Sequence, residues 1–292
     1  MSLPVFSGEI IAQIIVDGIL TGCLYALIAI GLAMIWGIVE IINFSHGEFL
    51  MIAAFLSYFL YTSVGLDPLI SAPLAFITTF VLGYIIQRGI IDRILDAPFL
   101  SQIFATFALV LIMRNTMFVA LGPDIRSIST WYSEAVIDIG EVRVSLVKLF
   151  IALIFITITA ALHLFLTRTY IGTALRAISQ DRIAAQLMGI DTRKIYALAF
   201  GIGAGLAGVG GALLSSFYYV FPEMGIPFTL IAFISVVLGG FGNILGPALG
   251  AIIVGLIQNI GAMVITPSMK DILVYIVFLA ILLFRPTGIF SR

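Results

Sequence analysis

The sequence predicts an all-α integral membrane protein, a polytopic bundle of eight or nine transmembrane helices with the N-terminus outside and the C-terminus cytoplasmic. Three observations predict it. First, 62% of the 292 residues are hydrophobic and only 10% charged, against about 45–50% and roughly 25% in soluble globular chains. One soluble core of this size cannot hide so much apolar surface, and the charges are too few to coat a water-facing exterior. Second, the apolar residues fall in long continuous runs and not in the short alternating strands of a membrane barrel. A helical span needs about 20 mostly apolar residues, so roughly 180 apolar residues supply eight or nine spans. Third, the basic residues divide unequally between alternate ends of those runs. The composition excludes a soluble enzyme, a nucleic-acid binder and a disordered chain, and a net charge of −1 gives no reason to expect a polyanionic partner.

Taken in order, the runs lie at 10–36, 47–64, 69–87, 100–121, 146–166, 195–219, 226–241, 245–265 and 271–285. The first is expected to remain as a helix, because Met1 to Ile10 lacks the Lys/Arg cluster of a signal peptide. The seventh is uninterrupted only from Phe228 to Leu238, too short for an ordinary crossing, and is expected to cross steeply or to re-enter. Of the 14 Lys and Arg, nine (Arg88, Arg93, Arg168, Arg176, Arg182, Arg193, Lys194, Arg285 and Arg292) gather on one side. Arg126, Arg143, Lys148 and Lys270 lie at the opposite ends of spans, and Arg114 falls within one. The positive-inside rule places the larger group in the cytoplasm, and nine crossings then put the N-terminus outside. With no flexible linker or low-complexity tract, residues 1–292 read as one domain.

Two hydrophilic stretches interrupt the pattern. Gly122 to Ser145 is the longest outside loop, with Trp131 and Tyr132 suited to the membrane interface. Thr167 to Lys194 is the longest inside loop and the more basic one. The single Cys23 has no partner for a disulfide or a shared metal, and His46 and His163 lie on different spans, so no metal or cofactor is expected.

Glycine forms rows at helical spacing: Gly201 and Gly205; Gly208 in line with Ala204 and Ala212; Gly242, Gly246 and Gly250; Gly18 and Gly22. Small residues on one stripe let helices approach closely in lipid. Such rows serve either ordinary packing or surfaces that slide in a moving transporter. A second feature is the polar interruption that contains Glu40, Asn43, Ser45, His46 and Glu48 between two apolar runs. Ionisable groups at a membrane centre cost about 2.5–3.5 kcal/mol each on insertion scales. This segment is therefore either a short cytoplasmic turn or a broken helix whose Asn43, Ser45, His46 and Glu48 line or gate a path. Arg114, inside the fourth span, either snorkels outward or pairs with Asp17 or another carboxylate of the outer half, and snorkelling is the simpler expectation.

The inside loop contains Arg176, Ser179, Gln180, Asp181, Ile183, Ala184, Ala185, Leu187, Met188 and Gly189. Ser179 or Asp181 can cap a short helix that stops at Gly189, with Ile183, Leu187 and Ile190 on one face. An apolar face outside the membrane packs on the membrane surface or neighbouring loops, or docks into a groove on a partner.

Four segments together carry a resemblance: Ile42-Asn43-Phe44-Ser45-His46-Gly47-Glu48-Phe49, the loop from Arg176 to Ile190, Gly239 through Pro247, and the ending Arg285 to Phe290. With the order of motifs and the hydropathy across nearly the whole chain, the sequence resembles the permease subunits of ABC importers for branched-chain amino acids. Ser45 stands where many members have Ala. The resemblance implies a multi-pass protein of a prokaryotic inner membrane that translocates amino acids without hydrolysing ATP. The sequence agrees in having no glycine before any of its three lysines, hence no phosphate-binding Gly-Lys. Implied partners are two cytoplasmic ABC ATPase subunits, a second related permease, an extracytoplasmic substrate-binding protein and the lipid bilayer. The loop from Ser179 to Gly189 would be the helix that couples to the ATPases, and the binding protein would meet the Gly122–Ser145 loop and Phe221-Pro222-Glu223. Members of the subfamily also import other amino acids, amides or urea. A different class of answer is a stand-alone transporter driven by H⁺ or Na⁺, with Asp17, Glu40 and Glu48 as carriers. An intramembrane enzyme finds no support in HExxH, GxSxG or paired mid-span aspartates.

Overall fold

The computed structural model describes residues 8–240, 245–285 and 287–290. Among them the chain forms eleven α-helices and one short hairpin. The helices are α1 (Gly8–Val39), α2 (His46–Val64), α3 (Pro68–Gly89), α4 (Phe99–Leu121), α5 (Leu146–Arg168), α6 (Tyr170–Gln180), α7 (Arg182–Leu187), α8 (Thr192–Leu214), α9 (Gly225–Gly239), α10 (Leu245–Val264) and α11 (Lys270–Phe284). The hairpin pairs β1 (Val136–Ile139) with β2 (Val142–Ser145). Every predicted run is a helix, and eight helical segments are long and apolar enough to cross a membrane, while α9 has only 15 residues. The sixth run ends earlier than expected, at Leu214. There the hydroxyls of Ser215 and Ser216 donate to the carbonyls of Ala212 and Leu213, satisfying acceptors that a continuing helix would have used.

The bundle has an inside and an outside. Of the most apolar stretch, 78% is buried within the chain in α1 and 89% in α8, against 22% in α4 and α5 and 6% in the α11 segment. α1 and α8 therefore form the centre, with α3 laid on α8 and α10 on α1. α4, α5 and α11 present exposed apolar rows such as Phe104, Ile112, Ile156, Leu279 and Phe284, as lipid-facing helices do. The glycine rows lie where helices touch. Gly201, Gly205 and Gly208 of α8 meet Phe80, Phe76 and Thr79 of α3, and Gly246 and Gly250 meet Gly239 and Ser235 of α9. Gly18 and Gly22 meet Leu256 and Ile252 of α10, whereas Gly242 lies outside the described residues.

The two hydrophilic stretches are more ordered than loops. In the first, Val136 pairs with Ser145 and Ile139 with Val142 across a turn at Gly140, whose φ is 64°. Trp131 and Tyr132 part company: Trp131 is exposed, while Tyr132 is buried and its hydroxyl donates to Asp67. The second stretch folds into α6 and α7, and only the latter was expected.

Ion pairs and hydrogen bonds define two ends. At the hairpin end, Lys148 pairs with Asp17 at 3.2 Å, Gln13 donates to the Arg143 carbonyl, and Arg126 and Val220 exchange backbone bonds. At the opposite, basic end, Arg182 reaches Asp96 and lies over the Tyr196 ring. Among the described residues, the larger and smaller basic groups read from the sequence thus lie at opposite ends of the helices, and Arg292 lies outside those residues.

Candidate functional site

The centre of the bundle is organised around the segment that breaks the helical pattern. α1 ends at Val39, and Glu40 turns the chain with φ of 60°, a left-handed conformation uncommon outside glycine. Residues 40–45 then run without helical structure, and α2 begins at His46. His46 Nε2 lies 2.9 Å from the carbonyl of Ile28, eleven residues before the end of α1. At 1.5 Å per residue the chain has climbed back about 16 Å along α1 before α2 starts. Past the exposed Glu40 the segment is no surface turn; it is a helix break whose irregular residues 41–45 are buried or half-buried in protein.

Its backbone groups must find partners in the absence of water, and specific side chains supply them. Asn43 Oδ1 accepts from both the backbone N–H and the hydroxyl of Ser45. Thr106 of α4 donates to the Ile42 carbonyl at 3.0 Å, and the Gly47 N–H donates to the Thr229 hydroxyl of α9 at 3.0 Å. The Phe233 ring packs on Phe44 and Trp36. Arg114 of α4 forms a short ion pair with Glu48. Arg114 therefore neither snorkels nor meets Asp17, which is held by Lys148; it neutralises the acid of the broken helix. Sequence reasoning missed Thr106, Thr229 and this pairing. A lone arginine inside a span demands a counter-charge, and Glu48 sits at comparable depth on the next rising helix.

Asn43, Ser45, His46 and Glu48 are all buried, and none lines either of the two cavities described below. Among the described residues, Asn43 Nδ2, His46 Nδ1, Glu48 Oε2 and Arg114 Nε are buried and meet no hydrogen-bonding group.

A second short helix meets the first break. α9 begins at Gly225 beside Gly47, so the N-termini of α2 and α9 touch backbone to backbone; a Cβ on either glycine would collide with the other's carbonyl. The chain reaches this point from Val220 at the hairpin end and leaves along α9 to Leu238, whose carbonyl accepts from Ile289. The seventh predicted run is thus a half-length helix completed by an irregular segment.

The basic end carries the predicted coupling loop. Asp181 caps α7 by accepting from the N–H groups of Ile183 and Ala184, and Gly189 ends it with φ of 83°. Ile183, Leu187 and Met188 are strongly exposed, as are Gln180 and Ala184; Ala185 is buried. Ile190 does not join that face, but leaves the helix and packs on the core. Arg176 and Ser179 of α6 line a cavity of 1320 Å³ with His163, Trp36 and residues of α10.

An all-helical membrane bundle, broken at mid-depth by a polar unwound segment, has the architecture of a multi-pass transport protein. The comparisons specify which. Residues 14–282 match the family model described as the permease component of branched-chain amino acid transport systems. The high-affinity branched-chain amino acid transport system permease protein BraD of Pseudomonas aeruginosa is 32% identical over 295 residues, covering 96% of this chain and 95% of that protein. The LivH protein of Escherichia coli, of the same description, is 30% identical over 289 residues, 94% of each chain. A probable LivH permease of Methanocaldococcus jannaschii is 26% identical, covering 95% of this chain and 92% of its own. No solved structure matches the chain. The chain belongs to the family of branched-chain amino acid transport permease components.

Proposed function

We propose that this chain is a translocation subunit of an ATP-driven importer of branched-chain amino acids, working with two cytoplasmic ABC ATPases, a second permease and an extracytoplasmic binding protein. The observation that carries the reading, beyond family membership, is α7. Six residues of helix are capped by Asp181, stopped by Gly189 and anchored through Arg182 to Asp96 and Tyr196, yet they hold Ile183, Leu187 and Met188 out into solvent. A capped helix presenting an apolar patch at the basic end suits insertion into a cleft of a separate protein. With the basic end cytoplasmic, that protein is the ATPase.

In this mechanism, closure of the ATPases pushes α7, and α6 and α8 transmit the push to the bundle. The broken helix and α9 move together, because Gly47 and Gly225 leave no space between them and Thr229 ties the junction. Asn43, Ser45, His46 and Glu48 act as the gate in this reading, which the Arg114–Glu48 pair holds together and which opens when that pair separates. An ion-coupled carrier fits less well, since two of its three candidate acids, Asp17 and Glu48, are held by Lys148 and Arg114. The test is reconstitution with the candidate partners. Leucine uptake that requires ATP and the ATPases supports the proposal; uptake by this chain alone on an ion gradient refutes it.

A further inference from the structure

Apart from the broken helix, the hairpin end holds a cavity of 370 Å³ between α1, α5, α10 and the start of α11. Its character is divided. Its lining combines aliphatic and aromatic side chains, among them Leu20, Leu24, Ile151 and Phe228, with the two cations Lys148 and Lys270. The two cations differ in their partners. Lys148 is held by Asp17 at 3.2 Å, and Asp17 also accepts from Gln13. Lys270 forms no ion pair among the described residues, although it is only half-buried at the first turn of α11. The floor is made rigid by a chain of hydrogen bonds in which Tyr25 donates to Gln258 Oε1 and Gln258 Nε2 donates to Asp271. Both ends of the Gln258 amide are thereby committed, while the hydroxyls of Thr21 and Tyr218 also line the cavity, so Lys270 is the cation there without an ion pair among the described residues. Pockets of about 300 Å³ and upward, mostly apolar with a few placed polar groups, are the usual form of small-molecule sites.

We propose that this cavity is a receiving subsite for one free α-amino acid with an aliphatic side chain, its carboxylate on Lys270 beside Lys148 and its side chain against Leu20, Leu24 and Phe228. The proposal rests on the importer reading for its choice of solute. The cavity opens at the end where, in that reading, a binding protein releases its load, so the subsite receives the solute before the central gate opens. The apolar side chains accept a branched aliphatic group, and the lining has no carboxylate to hold a basic side chain. The same chemistry would hold a branched 2-oxo acid, which shares the carboxylate and the aliphatic tail.

The test is equilibrium binding of labelled leucine to the full chain alone in nanodiscs, without ATP or partners, with two variants. Lys270→Met removes the free cation, and Ala262→Trp fills the cavity, of which Ala262 is a lining residue, without altering charge. Each is expected to weaken leucine binding by about tenfold or more, the worth of one charge-assisted hydrogen bond or of lost access. Isoamylamine, which lacks the carboxylate, is expected not to compete. Competition by 4-methyl-2-oxopentanoate as strong as that by leucine would show that the carboxylate and tail alone are read. Leucine bound equally by both variants, or no binding to the native chain at millimolar leucine, overturns the subsite. ATP-dependent uptake by the assembled importer is scored separately: uptake without binding discards the subsite and keeps the importer, and binding without ATP dependence does the reverse.

Discussion

Glu48 and Arg114 show how one residue can be unreadable until its partner is placed. The carboxylate is almost fully buried, and it is tolerated because the guanidinium is brought to it from α4. Removing one member leaves an uncompensated buried charge, which costs about 3–5 kcal/mol, whereas replacing both with uncharged groups costs far less. Arg114→Leu is therefore expected to lower the thermal midpoint of the purified protein sharply, and Glu48→Gln added to it is expected to restore most of the loss. Melting curves of the two single variants and the double variant check this. Additive losses would contradict the pairing. At Gly47 the constraint is space. Gly47→Ala forces α2 and α9 apart and is expected to cost about 1–3 kcal/mol, in line with other overpacked contacts, and to depress uptake more than stability predicts, since the proposed gate is displaced.

At the scale of elements, hydropathy made the helices legible because each span must be apolar for its full length, and the helix bounds differ little from the apolar runs. What hydropathy does not encode is depth. Residues 40–45 look like a turn between spans because they are polar, and the bond from His46 to the Ile28 carbonyl shows that they lead the chain back to the middle of α1. The hairpin of β1 and β2 was hidden inside a stretch classed as loop, although Val136-Ile-Asp-Ile and Val142-Arg-Val-Ser are β-prone runs about a Gly-Glu turn. α6 was missed because its buried residues Ala174, Leu175 and Ile178 lie in a segment of modest hydropathy. α7, in contrast, was readable from Asp181 and Gly189, whose roles as cap and stop are local. Ile183→Asp with Leu187→Asp is expected to abolish ATP-driven uptake while leaving the melting temperature near the native value, because both side chains are exposed. Gly189→Pro is expected to do the same through the backbone, as proline cannot adopt a positive φ. Uptake and thermal melts on the same preparations separate loss of coupling from loss of folding.

For the whole molecule, the two ends differ in charge and in what they offer. The hairpin end has an ordered two-stranded cap and a small mixed cavity; the basic end has an exposed apolar patch. Sidedness follows from that asymmetry and is measurable. Cys23 is buried and serves as an unreactive background. A membrane-impermeant maleimide added outside intact cells is expected to label Trp131→Cys and spare Met188→Cys, both sites being strongly exposed in the fold. The opposite pattern would invert the bundle and remove the ATPase from α7. The central claim, that a separate ATPase drives this permease through α7, is tested most directly by leucine uptake into proteoliposomes holding the chain, its sister permease, the binding protein and the ATPases. The prediction is ATP-dependent uptake by the native complex and none by the Ile183→Asp, Leu187→Asp complex of equal stability; normal uptake by that variant complex would contradict it.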